Sequence, residues 1–366
     1  MAESFIYSQP VKIWFGEGKF ACLGQILDEL GVQSAVLVCG KHFSPRAKAL
    51  MQADSRLKAL FDGVEQNPQL SGIEETVRLC REQGARAVIG IGGGSAMDTA
   101  KFAAAVSPNP GSALDYYEGR RSFDAKNRLT ILAVPTTAGT GSEVTQVSVV
   151  SHGTEKKTIN NPAFMPTAAI VDPELSASVP PRTTMNTGLD ALAHALEGYW
   201  SRNHQPISDL MAIEAVRLVL ANLERAWRDG GDREARANMA YAALLGGLSF
   251  ALPKTAASHA CSYPLSEDYH LPHGEACAFT LDSLVRVNAD ERLEALCRAV
   301  GLSGTGELAR RIAALKELGG LRTRLSQLEN VDLDKLCRDC AAHPLMKNNP
   351  VPLDEAALRE MFLKLQ

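Results

Sequence analysis

The first half of the chain alternates short apolar runs with amphipathic segments. The apolar runs have the length and β-branched content of strands, and they cover residues 34–40, 85–94, 129–137 and 168–173. Between them lie stretches such as IEETVRLCREQG at residues 73–84, whose apolar positions recur with helical spacing. Strands that alternate with helices in this way predict an α/β domain with a largely parallel sheet.

The pattern changes near residue 180. Beyond it, strand signals almost disappear, and long Ala- and Leu-rich segments follow one another with helical spacing, as in TGLDALAHALEGYW at residues 187–200. A length of 366 residues suits about two domains. We therefore predict an α/β domain over residues 1–180 and an all-α domain over residues 181–366.

Composition narrows the possible partners. The 38 Lys and Arg residues nearly balance the 42 Asp and Glu residues, so the chain lacks the whole-molecule field that nucleic-acid or anionic-membrane binding needs. The first residues do not have the pattern of a signal peptide, and no apolar run is long enough to span a membrane. We predict a cytoplasmic protein without nucleic-acid or membrane partners. The single CxxC pair, Cys337 and Cys340, is expected to be two thiols on a polar helix.

A glycine-rich turn follows the second apolar run. The segment passes from a strand through Gly92, Gly93 and Gly94 into a helix that we expect Ser95 to open, with Asp98 completing a capping box. Glycines let the backbone approach a pyrophosphate, and the helix N-terminus stabilises an anion. The glycines do not match the G-x-G-x-x-G fingerprint, so the turn alone suggests a dinucleotide, and a tight turn without a ligand stays possible.

A second loop, PTTAGTGSE at residues 135–143, also follows an apolar strand and concentrates hydroxyls and glycines. Loops that follow neighbouring parallel strands lie at the carboxyl edge of the sheet, where open α/β sheets bind nucleotides. The pair of loops therefore favours a dinucleotide-binding domain more strongly than either loop alone.

Asp190 and His194 lie four residues apart in the helix predicted over residues 187–200, and Glu197 lies close to the same line. The face that they share borders an apolar stripe. That edge is a poor place for solvated polar groups and a good one for metal ligands. By itself such a pair on a helix is more often a hydrogen-bonded contact than a metal site.

Three of the eight histidines, His259, His270 and His273, fall within fifteen residues. Pro264 and Pro272 are predicted to interrupt this segment, so that His259 closes one helix and His273 stands just before the next.

Together with the earlier pair, this segment supplies three imidazoles and one carboxylate from Asp190, His194, His259 and His273. Such a set suits Fe²⁺, Zn²⁺ or a similar divalent ion and leaves a coordination position for substrate. Unrelated core and surface histidines are the competing interpretation.

These motifs, in this order, resemble the iron-containing, or group III, alcohol dehydrogenases, which are related in fold to dehydroquinate synthase and glycerol dehydrogenase. The resemblance covers nearly the whole chain. It is carried by FGEGKF, GGGSAMDTAK, PTTAGTGSEVT, KKTINNPAFMPTAAIVDPEL, the D-x-x-x-H-A-x-E helix, HLPHGEACA and NNPVPLDEAAL. It implies an N-terminal dinucleotide-binding domain, a C-terminal helical metal domain, and metal-assisted hydride transfer between NAD(P)H and a small aldehyde or alcohol.

The resemblance also implies site residues. The metal ligands would be Asp190, His194, His259 and His273. The predicted cofactor contacts lie in the two loops and at the end of the first apolar run: Gly40, Gly92, Gly93, Gly94, Ser95, Asp98, Thr136, Thr137 and Ser142.

Two positions depart from the family pattern. Many members have a second histidine where this chain has Tyr263, so the proton relay could use Tyr263, His270 or water. NAD-preferring members tend to carry Asp where this chain has Gly40. A carboxylate there would repel a 2′-phosphate, and its absence slightly favours NADPH over NADH.

The substrate is less clearly indicated. The strings KTAASHACSYPLS and KNNPVPL resemble a subgroup that reduces phosphonoacetaldehyde to 2-hydroxyethylphosphonate. Lys254 would then bind the phosphonate, with Lys347 as the competing candidate. The alternatives are a lyase similar to dehydroquinate synthase, a dehydrogenase for a diol or other small alcohol, and a catalytically dead binding protein. Assembly as a homodimer is left open.

Overall fold

The computed structural model of the chain describes residues 4–153 and 155–366. These residues form two compact units. One, the sheet unit, comprises residues 8–137 and 142–176, and the other, the helical unit, comprises residues 4–7, 138–141 and 177–366.

The sequence predicts a single boundary at residue 180. Residues 138–141 precede that boundary, but this short segment belongs with the helical unit. A Cβ on Gly139 would lie 2.7 Å from Thr187 Cβ, and a Cβ on Gly141, whose φ is 61°, would lie 2.4 Å from Gly247 Cα. Only glycine allows the backbone to approach the helices so closely. The glycines of the second loop therefore serve packing within the helical unit.

The strands all lie in the sheet unit. Their bounds are β1 Lys12–Phe15, β2 Ala35–Cys39, β3 Leu57–Phe61, β4 Ala87–Gly92, β5 Thr130–Pro135, β6 Val147–His152, β7 Glu155–Asn160 and β8 Ala168–Val171. Within the described residues, six strands form a parallel sheet in the order β1-β8-β5-β4-β2-β3, and β6 and β7 form an antiparallel pair. The predicted parallel α/β architecture is confirmed.

Helices cover both faces of the parallel sheet. Their bounds in this unit are α1 Leu23–Glu29, α2 Ser44–Ala53, α3 Leu70–Glu82, α4 Gly94–Val106 and α5 Ala113–Tyr117. On β2, Leu37 packs in a core with α1 and α2, whereas Val36 and Val38 pack in a core with α3 and α4. A parallel strand buried on both faces is apolar along its whole length, which is why this strand was recognisable.

The helical unit contains the rest of the α-helices. Their bounds are α6 Pro181–Trp200, α7 Pro206–Arg228, α8 Arg233–Phe250, α9 Ala257–Glu267, α10 His273–Val287, α11 Glu291–Ala299, α12 Thr305–Leu318, α13 Leu333–Ala342 and α14 Glu355–Leu363. Helix α6 packs most extensively against α7, α8 and α10. None of the described helices has the length and apolar content needed to cross a bilayer.

The predicted capping box at the start of α4 is wrong. This helix begins at Gly94, its N-cap is Gly93, and the cap makes no side-chain hydrogen bond. Asp98 therefore lies in the second turn, where its carboxylate accepts hydrogen bonds from Ser142 Oγ at 2.7 Å and from the Val149 backbone N–H at 2.9 Å. A contact with the β6–β7 region, distant in sequence, takes this carboxylate away from the helix end.

The predicted interruption at Pro264 is also wrong, because α9 runs through this proline to Glu267. His259 consequently lies in the first turn of α9 instead of at its end. A proline inside a helix removes one N–H donor and costs about 3 kcal/mol. Burial of the surrounding positions, Cys261 and Leu265 among them, offsets this cost. Pro272 does precede a helix, since α10 begins at His273.

Candidate metal centre and cofactor loops

Asp190 and His194 lie on α6, which begins with a proline at its first position and is buried over most of its length. Asp190 is 2% exposed and His194 is 5% exposed. The helical spacing brings Asp190 Oδ1 to 3.9 Å from His194 Nδ1.

The first residues of α9 and α10 bring two further imidazoles to the same carboxylate. Asp190 Oδ1 lies 3.6 Å from His259 Nε2 and 3.8 Å from His273 Nε2. A Cβ on Gly274 would lie 2.1 Å from the Asn186 carbonyl oxygen, so glycine is what allows α10 to approach α6 here. Two donors at ~2.1 Å from one tetrahedral ion are ~3.4 Å apart, which is close to the separations observed.

Two atoms of this cluster are buried without a hydrogen-bond partner among the described residues: Asp190 Oδ1 and His259 Nε2. Leaving such atoms unsatisfied costs several kcal/mol in general, and native proteins avoid it. A divalent cation between them would satisfy both. The donor chemistry and the burial therefore fit a metal ion.

His194 is fixed from its other side. Its Nδ1 lies 3.3 Å from the Gly139 carbonyl, which can only accept, so Nδ1 carries the proton and Nε2 is left with a lone pair. The ring stacks on Phe250 with centroids 4.2 Å apart. Burial lowers the pKa of His194 to about 4, so the imidazole is neutral near pH 7, as a metal ligand must be.

The Asp190 carboxylate is ionised for a different reason. Burial raises the pKa of this carboxyl, but the imidazoles of His194 and His273 lower it more, and the pKa falls below its ordinary range. The site therefore contains one negatively charged carboxylate among imidazole rings that are neutral or cationic. A divalent cation would compensate this negative charge.

Sequence reasoning missed Cys277. Donor atoms of Asp190, His259, His273 and Cys277 all lie within 4.8 Å of one another, and Cys277 Sγ is 3.7 Å from His273 Nε2. Cys277 follows His273 by one turn of α10, and this i, i+4 spacing was the available signal. Of the four predicted ligands, His194 lies beside this four-donor group instead of within it.

The function of Glu197 was also missed, although its place on the ligand face of α6 was noted. Its carboxylate is fully buried and accepts hydrogen bonds from His259 Nδ1 and from the backbone N–H groups of Ser258, at 2.6 Å, and His259, at 3.3 Å. It therefore caps the first turn of α9 and keeps the His259 proton on Nδ1, so that Nε2 faces Asp190 as a donor.

The candidate proton donors are placed differently. His270 is exposed, with a left-handed φ of 54°, between α9 and α10. Tyr263 lies one turn beyond His259 on α9, and its ring stacks on His343 with centroids 4.3 Å apart.

Lys254 lies in the loop between α8 and α9. Its backbone N–H donates to the Phe250 carbonyl at 2.8 Å, and its φ is 70°, because it closes the end of α8. Its ammonium donates to the Ala251 carbonyl at 3.1 Å, and burial lowers its pKa.

The two glycine and hydroxyl loops meet at the carboxyl ends of β4 and β5. The Thr136 N–H donates to the Gly92 carbonyl at 2.9 Å, and a Cβ on Gly93 would lie 3.4 Å from Thr137 Oγ1. The partly exposed members at this edge are Gly92, Gly93, Gly94, Ser95, Thr136 and Thr137. Glycine backbone at a helix N-terminus is an arrangement suited to bind a phosphate group.

Asp98 and Ser142 are buried, unlike the partly exposed residues of the two loops. The fully buried Lys101 donates to Ser142 Oγ at 2.6 Å, and Ser142 donates to Asp98. These polar atoms are hydrogen-bonded to one another inside the sheet unit. Their hydrogen bonds therefore stabilise the second loop, which contains Ser142.

Gly40 follows β2 at the same edge of the sheet. Asp62, which follows β3, accepts hydrogen bonds from Lys41 Nζ and Ser44 Oγ, each at 2.6 Å, and lies 3.9 Å from Lys48 Nζ. Two ammonium groups thus surround one carboxylate beside the strand end, which leaves a local excess of positive charge.

The parallel-sheet unit presents two glycine loops at one edge, and the helical unit contains a buried cluster of a carboxylate and imidazoles. The family model for "Iron-containing alcohol dehydrogenase" matches residues 10–173, and that for "Fe-containing alcohol dehydrogenase family, C-terminal" matches residues 184–365. The chain belongs to the iron-containing alcohol dehydrogenase family, whose members are alcohol and aldehyde oxidoreductases.

Individual relatives agree with this assignment. The chain is 37% identical over 323 residues to long-chain-alcohol dehydrogenase 1 of Geobacillus thermodenitrificans, covering 83% of this chain and 80% of that one. It is 30% identical to lactaldehyde reductase of Escherichia coli K12, covering 92% and 94%. A crystal structure of sulfoacetaldehyde reductase from Bifidobacterium kashiwanohense in complex with NAD⁺ superposes with a TM-score of 0.94 at 38% identity, covering 99% of each chain.

Glu197→Gln tests the role of the buried carboxylate behind His259. The amide keeps the shape but removes the negative charge that holds the Nδ1 proton, so we expect metal affinity to fall about 10- to 100-fold. Competition with a chromophoric chelator measures it. Glu294→Gln is the matched control, because that carboxylate bonds Thr305 instead of an imidazole. Unchanged affinity in Glu197→Gln would contradict the orienting role.

Proposed function

We propose that this enzyme reduces a small aldehyde bearing a tetrahedral oxyanion, with NAD(P)H as hydride donor and Fe²⁺ or Zn²⁺ as the metal. The observation that carries the proposal is the pair of unsatisfied buried atoms, Asp190 Oδ1 and His259 Nε2, at the centre of a carboxylate and imidazole cluster. Family membership supports hydride transfer as the reaction.

Bound, the ion would polarise the carbonyl as a Lewis acid, and the reduced nicotinamide would supply hydride. Asp190, His194, His259 and His273 would hold the ion, with Cys277 as a further donor beside it. Glu197 orients His259. The backbone N–H groups at the start of α4 would bind the pyrophosphate.

The oxyanion class rests on two supports. The strings KTAASHACSYPLS and KNNPVPL are similar to phosphonoacetaldehyde reductases, and the similar solved structure is a sulfoacetaldehyde reductase. Phosphonate and sulfonate are both tetrahedral anions, so one cationic side chain could recognise either. Phosphonoacetaldehyde is the first candidate and sulfoacetaldehyde the second.

Lys254 is suited to bind the anionic end. Among the described residues it forms no ion pair, and it is half-buried, so its charged ammonium group loses solvation. A bound anion would compensate this loss. Its loop is held on both sides, because Ser201 Oγ donates to the Pro253 carbonyl and Asn348 Nδ2 donates to the Thr255 carbonyl, each at 2.8 Å. The lysine is therefore held in a fixed position.

Two other functions are less well supported. A lyase similar to dehydroquinate synthase would share the metal and nucleotide halves, but the relatives are alcohol and aldehyde oxidoreductases, which favours net hydride transfer. A neutral substrate is the stronger competitor, since lactaldehyde reductase is among the relatives. Net oxidation of NAD(P)H separates a reductase from a lyase, and relative rates on charged and neutral aldehydes separate the substrate classes.

The reaction is tested with metal-reconstituted protein, NADH or NADPH, and phosphonoacetaldehyde, sulfoacetaldehyde, lactaldehyde and propionaldehyde. We expect one NAD(P)H oxidised per alcohol formed, and the highest kcat/KM on an aldehyde with an oxyanion. His273→Ala should lose bound metal and nearly all turnover while its circular dichroism stays unchanged. A metal-replete, fully active His273→Ala protein, or a wild type that reduces no aldehyde, would refute the proposal.

Gly40→Asp tests cofactor choice. We propose that the wild type uses NADPH at least as well as NADH, because Gly40 lacks a carboxylate and two lysines lie nearby. A Cβ on Gly40 would make only an ordinary contact, 3.5 Å from the Val64 carbonyl oxygen, so the aspartate fits. It should lower kcat/KM for NADPH selectively, through repulsion of the 2′-phosphate. A wild type that strongly prefers NADH would show that this interpretation is wrong.

Lys254→Ala tests the anionic end of the substrate. We expect kcat/KM for the oxyanion aldehydes to fall roughly 10- to 100-fold, the ~1.5 to 3 kcal/mol of a charge-assisted bond, with little change for propionaldehyde. Lys347→Ala is the parallel variant for the competing candidate. Equal losses on charged and neutral aldehydes would assign Lys254 a structural role in the loop.

A further inference from the structure

The carboxyl ends of β4, β2 and β3 follow one another along the edge of the parallel sheet. The glycine turn comes directly after β4, and β2 pairs with β4 up to the partners Cys39 and Ile91. In open α/β sheets that bind dinucleotides, the strand beside the phosphate-binding turn ends near the adenosine ribose. A carboxylate there accepts a hydrogen bond from the 2′-hydroxyl, or a cation binds the 2′-phosphate. The charged groups after β2 and β3 therefore lie on the side of the turn where NADH and NADPH differ.

Asp62, directly after β3, is fixed by donors from the end of β2 and the start of α2. Its Oδ1 accepts a hydrogen bond from Lys41 Nζ, and its Oδ2 accepts one from Ser44 Oγ, each at 2.6 Å. These hydrogen bonds lower the pKa of Asp62, so the carboxylate is charged near pH 7. Its side chain is 24% exposed, whereas that of Lys41 is 77% exposed. A fixed anion thus holds a cation that is itself open to a ligand.

The segment around Asp62 also borders a cavity of about 200 Å³. Phe61, Gly63 and Val64 line it, together with residues from the start of α3 and from α4. The Val64 backbone N–H donates to the Cys39 carbonyl at 3.3 Å, so this segment is tied to the end of β2. A ligand that extends from the glycine turn towards the cavity passes the ends of β2 and β3, because those strands follow β4 in the sheet.

We propose that Asp62 sets the choice between NADPH and NADH by competing with the 2′-phosphate of NADPH for the Lys41 ammonium. NADH carries a hydroxyl in place of that phosphate, so it leaves the ion pair of Lys41 and Asp62 intact. NADPH has to share Lys41 with Asp62, and it brings its own negative charge near the carboxylate. Lys48, whose Nζ lies 3.9 Å from Asp62 Oδ2, adds positive charge to the same group.

The two lysines thus favour NADPH, and Asp62 limits that preference. Asp62 is a specificity-determining residue that acts through Lys41. The inference rests on the proposed function, because it concerns the same cofactor site.

Fluorescence titrations of the metal-reconstituted protein with NADH and NADPH, without an aldehyde, measure the two dissociation constants. Asp62→Asn keeps the side-chain shape and an acceptor for Ser44 but removes the charge. We expect it to tighten NADPH binding roughly 5- to 10-fold, the effect of one partly exposed charge, and to leave NADH binding unchanged. Lys41→Ala should weaken NADPH binding by a similar factor, again without a change for NADH.

The double variant tests whether the carboxylate acts through the lysine. In the Lys41→Ala background, the gain from Asp62→Asn should be largely lost, because the shared cation is gone. Glu29→Gln is the matched control. Glu29 forms an exposed ion pair with Lys12 at 2.8 Å, and Lys12 begins β1, so this pair belongs to the amino end of a strand. Neither dissociation constant should change in that variant.

Several results would overturn the inference. An Asp62→Asn protein that binds NADPH no better than wild type would show that the carboxylate does not compete for the lysine. Weaker NADH binding in that variant would make Asp62 a ligand of the ribose hydroxyl instead. An equal gain with and without Lys41 would mean that Asp62 acts on the phosphate directly.

Failure of the proposed function has a different signature. A wild type that reduces no aldehyde, but whose variants bind NADPH and NADH as expected, would refute the proposed reaction and support the inference. A wild type that binds neither cofactor would refute both.

Discussion

The buried carboxylate of Asp190 is the constraint on which the helical unit depends. A carboxylate in a low-dielectric interior is costly unless cations or hydrogen bonds compensate it. Here α6, α9 and α10 converge so that imidazoles surround it, with one of its oxygens left unsatisfied. The packing is made possible by Gly274, whose missing side chain lets α10 reach α6. Helix packing thus buries a negative charge that is only partly compensated, and a metal cation is suited to compensate it.

A second buried carboxylate, Glu197, has the opposite role. Its carboxylate accepts hydrogen bonds from donors at the start of α9. It therefore orients His259 and caps that helix. Two acids on one face of α6 are therefore distinguished by their partners. Asp190 is left partly unsatisfied towards the cluster, and Glu197 is satisfied behind it. This division would allow one helix to supply both a metal ligand and the group that orients another ligand.

In the sheet unit, too, buried polar groups support residues that are partly exposed. The loops that follow β4 and β5 expose glycine backbone and threonine hydroxyls at the sheet edge, while Asp98, Lys101 and Ser142 form a buried, satisfied network. A fully connected polar network is rigid, and a rigid base holds the backbone N–H groups of the loop in the geometry that an anion needs. The backbone geometry of these loops therefore depends on polar groups that do not themselves reach the surface.

Much of this was readable from the sequence alone. The strands β2, β4, β5 and β8, which are buried along all or nearly all of their length, were recognisable as continuous apolar runs. The Ala- and Leu-rich second half predicted helices through its 3.6-residue period. The edge strands β1 and β3 escaped notice since they are half exposed, and so did the β6–β7 hairpin. The residues Asp190, His259 and His273 could be proposed as ligands from spacing and resemblance.

Only the tertiary structure decided which groups meet. Glu197 and His259 are 62 residues apart, and the partner of Asp98 is 44 residues away at Ser142. No local pattern encodes such pairs, since they follow from which helices pack together and at what distance. The same applies to Cys277 beside the ligands and to His343 on Tyr263. The sequence by itself determined the buried strands, most of the helices and the chemical inventory. Long-range packing determined the contacts, because burial in a shared interior is a property of the assembled fold.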